Sequence, residues 1–184
     1  MEVGAADDEE TPLTDDGLHQ LATQTAIRGL ARVQHLVDVI AARPDAAALL
    51  DARLAADQLG CADQLRMANG FALRCVMPLL LRPWALANEG GTVEDLQAQV
   101  KQAARDIAGV AVADFAGAAS RSIQHRAGDA LIRQTATDYL IQFAIPNQWF
   151  HLTTAFAILR AEGVQIGKAD YDGLHQYPQG FALT

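Results

Sequence analysis

Residues 139–168 read YLIQFAIPNQWFHLTTAFAILRAEGVQIGK, the most apolar segment of the chain. Leu140, Phe143, Phe150, Ala157 and Ala161 recur at spacings of three, four and seven, which is one face of an α-helix. Two positions of that seam are polar, Asn147 and Thr154. His151 lies four residues after the first and three before the second, so the three polar groups fall on neighbouring turns, flanked by Phe143, Trp149, Phe150 and Phe156. Thr135 or Asp138 suits the N-cap, and Gly163 suits the left-handed residue that ends a helix. Pro146 lacks an amide hydrogen and is expected to kink or restart the helix. A kink frees a carbonyl, for which the Asn147 amide, Trp149 or a water is a candidate donor.

Working outward, three more long amphipathic segments precede this one. The first is expected from Thr14, where a cap and early acids suit the helix dipole, to Arg43-Pro44-Asp45. A short helical turn, 46–53, follows. The second long helix is expected over about 56–81, with Cys61, Leu65, Ala68, Ala72, Cys75 and Leu79 as a seam of small and aliphatic residues. The third runs from about Thr92 to Val110, opened by a capping box at Thr92-Val93-Glu94-Asp95. Residues 120–134 flank a turn-like Arg126-Ala127-Gly128-Asp129 and suit a small hairpin. Four long helices with a longer connection before the last make an all-α four-helix bundle, with a small β-hairpin or irregular insertion before the fourth helix. The expected divisions are an acidic disordered tail at 1–13, one helical-bundle domain at 14–170, and an irregular C-terminal tail at 171–184.

Composition fits this reading. Half the chain is hydrophobic but only 6% is aromatic, which suits close-packed aliphatic helices. The net charge of −8 is concentrated at the start: residues 1–16 hold seven acids and no Lys or Arg, leaving 15 acids against 14 bases elsewhere. No basic stripe points to nucleic acid, and no apolar run is long enough for a membrane span. The acidic start is unlike a signal peptide, so the cytoplasm is the expected location. Cys61 and Cys75, fourteen residues apart on one expected helix, would stand about 21 Å apart and cannot pair. They read as small buried hydrophobes.

Two stretches, ARLAADQL (52–59) and FAIPNQWFHLTTAFAILRAEGVQIGKADY (143–171), resemble signature segments of a bacterial family. It is the domain-of-unknown-function family number nineteen ninety-three, similar to the DinB/YfiT-like superfamily of four-helix bundles. The resemblance implies an up-down bundle, frequent dimers and, in many members, a divalent metal held by three histidines, two of them four apart on the last helix. In some members it implies transfer chemistry with low-molecular-weight thiols. At the histidine-x-x-x-histidine spacing this chain has Asn147 and His151, and its other histidines, His19, His35, His125 and His175, fall outside the second helix. His151 is then the one metal candidate at a motif position, with Asp57, Asp63 or Gln64 as substitute oxygen ligands that would favour a harder cation than zinc.

Two readings of the polar cluster stand side by side. Asn147, His151 and Thr154 pair with one another, or with the backbone carbonyl freed by Pro146, as a structural group, or they line a ligand pocket with Asp57 or Gln64. The first functional expectation is accordingly a small-molecule-binding or interaction module, a homodimer, with no cofactor and without a complete three-histidine site. The alternative is a DinB-like metal-dependent thiol transferase with a non-standard divalent metal set.

Overall fold

The computed structural model describes residues 13–178. The first helix, α1 (Asp15–Ala41), starts at Thr14, whose hydroxyl accepts the Gly17 amide hydrogen. A short helix, α2 (Ala46–Asp51), follows. Helix α3 (Cys61–Val76) continues into a 3₁₀ turn, Met77–Leu80, where Pro78 rules out regular α-helical bonding. Helix α4 (Val93–Ala108) has the capping box expected from its sequence: Thr92 accepts from the Asp95 amide, and the Asp95 carboxylate accepts from Thr92 N–H. After a 3₁₀ turn at Val112–Phe115 come β1 (Ser122–Ala127) and β2 (Ala130–Thr135), an antiparallel hairpin closed at Gly128, which has positive φ.

The last long helix begins at Thr135, which caps a short α5 (Ala136–Asp138). It widens to π-helix over Tyr139–Ala144 and resumes as α6 (Ile145–Ala161) with Pro146 in the first turn. Pro146 therefore marks a change of helical type, as a missing donor should. Gly163, at φ 79°, follows the end of α6. A short α7 (Lys168–Asp172) packs on α1, with Tyr171 against Trp149 and Phe156.

Helices α1 and α3 pack on each other and on both α4 and α6, so α4 and α6 take opposite flanks. The core is aliphatic: Leu18, Leu30, Leu36, Leu65, Leu73, Leu96, Ile107, Leu140 and Leu159 are all sealed from solvent. Cys61 and Cys75 are free and buried, and burial pushes the Cys61 thiol up to about 12. The loop 111–121 is tied to α1 through Asp15, which accepts amide hydrogens from Gly117 and Ala119.

Two boundaries differ from the sequence reading. The second long helix starts at Cys61, and residues 52–60 are irregular; Gly60 is its N-cap. The C-terminal segment is helical to Asp172, held by His35 on Asp170 at 2.8 Å and by Tyr171. The acidic tail expected at 1–13 lies, but for Leu13, outside the described residues, as do residues 179–184. No described helix is long and apolar enough to cross a membrane.

Candidate functional site

His151 sits on the α6 face that meets α3, 8% exposed. Its Nδ1 lies 2.7 Å from Gln64 Oε1, on the first turns of α3. The Gln64 Nε2 donates to the Leu59 carbonyl at 3.4 Å. With that amide orientation Oε1 is the acceptor, so Nδ1 carries the proton and Nε2 keeps the lone pair. The ring stacks on Phe71 of α3 with centroids 5.5 Å apart and meets Phe150 edge-on. Burial, with the Arg74 charge nearby, pulls the His151 pKa down to about 4, so the imidazole is neutral at pH 7.

The structure brings Gln64 to His151 but sends the other three residues elsewhere. The Asn147 amide donates to the Phe143 carbonyl at 2.7 Å, and the Thr154 hydroxyl to the Phe150 carbonyl at 2.8 Å. Both thus bond back to their own helix, a local option open to short polar side chains. Asp57 lies in the irregular stretch before α3, exposed, with no polar partner among the described residues.

A three-histidine metal site does not fit these residues. His151 is the one imidazole at the expected positions, and with Nδ1 on Gln64 it could offer a metal only its Nε2. Asn147 is turned onto Phe143, and Asp63 pairs with Arg66 at 3.0 Å. Among the described residues no three His, Cys, Asp or Glu side chains gather as metal ligands.

Beside the His151–Phe71 stack, on the outer side of α3, lies a cavity of about 360 Å³. Gly70, Phe71 and Arg74 form its floor; Trp84, Leu86 and Glu89, from the loop between α3 and α4, form its far wall. The Arg74 guanidinium stands 4.8 Å from the Phe71 ring centroid and 5.2 Å from that of Trp84. These ring faces hold the cation in place. No carboxylate among the described residues pairs with Arg74. A Cβ built on Gly70 would stand 3.8 Å from Trp84 and 4.0 Å from Leu86, ordinary contact distances, so a larger side chain there would extend into the space these residues line.

The wall is fixed from behind. Gln99 of α4 is fully buried; its Nε2 donates to the carbonyls of Asn88 and Gly90 and to Asn88 Oδ1, and its Oε1 accepts from Asn69 at 3.3 Å. A second buried amide, Gln148 of α6, donates to the Ala26 carbonyl of α1 at 3.2 Å and accepts the Cys75 thiol at 3.8 Å. It lies over Gly29, where a Cβ would come 2.1 Å from its Nε2.

Sequence reasoning missed Arg74, Trp84, Gly70, Gln99 and Gln148. One signal was available for Arg74: it is the only charge in the run from Phe71 to Leu81. Gln148 also carried a signal: it lies four residues after Ala144 and four before Leu152, inside the apolar stripe those residues share with Leu140, Ala155 and Leu159.

The structure is similar to the crystal structure of a DinB family member protein from Shewanella denitrificans. The two share 30% sequence identity and a TM-score of 0.74, over 89% of this chain and 96% of that one. No curated protein matches the chain. A family model described as "Domain of unknown function (DUF1993)" matches residues 18–172. The chain belongs to that family, and its bundle is DinB-like.

Proposed function

We propose that this protein is a small-molecule-binding module whose ligand enters the cavity between α3 and the loop that precedes α4. The observation that carries the reading is the half-buried Arg74 guanidinium, fixed between two aromatic rings, lining a cavity of about 360 Å³ and paired with no described carboxylate. That volume lies within the range of small-ligand sites, and an apolar wall with a small number of placed polar or charged groups is their usual make-up. The neutral His151, behind Phe71, supports the floor from the bundle side. Of the residues first expected to line a pocket, His151 and Gln64 contribute as this support, while Asn147 and Thr154 stabilise α6.

Gly70→Leu tests the reading. The added side chain fills the cavity, and leucine suits a helix better than glycine by about 0.8–1 kcal/mol. Thermal-shift screening of a fragment library should give hits on the native protein that vanish in Gly70→Leu. The same hits on both proteins would place binding elsewhere. Exposed Leu131, Ile141 and Phe150 offer apolar surface for a second copy, so a homodimer is the assembly we propose, to be checked by light scattering.

A further inference from the structure

We propose that the ligand class is a small organic carboxylate with a flat apolar body, its carboxylate on Arg74 and its body against Trp84. This rests on the cavity reading above and adds the chemistry of what binds.

The inference starts from what Arg74 lacks. A guanidinium has five N–H donors in a rigid planar fork and no acceptor. Four other arginines take up such donors with carboxylates or carbonyls: Arg43 with Asp45, Arg82 with Asp114, Arg66 with Asp63, and Arg121 with the carbonyls of Leu79 and Ala116. Arg74 has only ring faces, which engage its charge and leave its donors unmatched. Holding the guanidinium against Phe71 and Trp84 also removes side-chain freedom in advance, so less entropy is lost when an oxyanion arrives.

The neighbouring charges favour the same sign of ligand. Arg66 also lines the cavity, and its charge is offset by Asp63. Glu89 lines the far wall and is exposed, so water screens it more than Arg74, which is half-buried. A cationic ligand would meet Arg74 at the floor, where the aromatic faces are already occupied by a cation. A neutral apolar ligand would leave the donors unmatched and strip their water. A carboxylate supplies two oxygens in the geometry of the fork. The rest of the wall, Trp84, Leu86 and Phe71, is apolar and calls for a flat hydrocarbon body.

The test uses the full chain and four probes of one shape: benzoate, phenylacetate, benzamide and benzylamine, measured by saturation-transfer NMR and calorimetry. Benzoate or phenylacetate should bind at least ten times more tightly than benzamide or benzylamine. Arg74→Gln should erase that preference, and Arg74→Lys should keep part of it, which separates a charge effect from misfolding. Arg66→Gln should leave the preference in place. Equal binding of all four probes, lost in Gly70→Leu, would overturn the carboxylate assignment while leaving the cavity reading intact. No binding of either carboxylate would also overturn it, and the fragment screen would then decide the cavity reading on its own. A preference that survives Arg74→Gln would show that another group selects the anion.

Discussion

At the level of single residues, His151 is the buried group whose titration the fold moves within the range between pH 4 and 7. Its folded pKa of about 4 lies below the unfolded value of about 6.5. Between those values the unfolded chain binds the extra proton, so stability rises with pH across that window. The contribution is complete above about pH 6.5 and is lost as pH falls towards 4, at most about 3 kcal/mol. His151→Phe, which keeps the stack on Phe71, should flatten the pH dependence of urea unfolding between pH 4.5 and 7; an unchanged slope would mean that His151 is not the titrating group. A second residue-scale prediction concerns Gly29. Glycine to alanine inside a helix ordinarily stabilises by about 1 kcal/mol. Here the new methyl would strike the sealed Gln148 amide, which would have to give up the Ala26 carbonyl. Gly29→Ala should instead destabilise by about 1–3 kcal/mol, the cost of a buried amide left unmatched. Gln148→Ala should absorb most of that loss in a double-mutant cycle read by chemical denaturation.

At the level of elements, seams and caps were largely legible. Thr14, Thr92 and Thr135 cap helices as their sequences foretell, because capping is local chemistry read three residues ahead. The hairpin at 122–135 follows equally from its turn residues. The second long helix, expected from about residue 56, starts at Cys61, because the chain takes an irregular path until Gly60 supplies the extended N-cap. Of the partners expected for the polar trio, backbone carbonyls take two. Spacing places Asn147, His151 and Thr154 on one face, yet two of them bond to carbonyls of their own helix, an outcome that periodicity does not encode. The loop from Leu81 to Thr92 shows how one element depends on another. Leu81 begins it in the left-handed region at φ 54°, and Gln99 of α4 anchors its far end with three hydrogen bonds. Gln99→Leu removes those bonds and leaves the Asn88 and Gly90 carbonyls to find water. It should cost about 2–4 kcal/mol and should speed proteolysis between Trp84 and Gly91, since the partners of a buried polar group bear its loss. Unchanged cleavage there would show that the loop is held by other contacts.

At the level of the whole molecule, the four-helix plan was readable because each long helix carries an apolar seam at helical spacing. The cavity was not readable, because it depends on a loop laid across the outer face of α3, and no periodic signal describes where a loop comes to rest. The same long-range packing explains why Gly70 and Arg74 looked unremarkable in sequence: their role is set by Trp84 and Leu86, ten or more residues away. Between α3 and α6 the His151–Gln64 hydrogen bond closes the packing, and the cavity under the loop is lined by Phe71, on which His151 stacks. The central claim is therefore that ligand binding has its place outside the helix core, under the loop. The most direct measurement is an amide NMR map of the isotope-labelled protein titrated with fragment-screen hits. The expected result is shifts concentrated at Gly70, Phe71, Arg74, the Trp84 indole and Leu86, absent in Gly70→Leu; shifts centred on other surfaces with that set unmoved would contradict it.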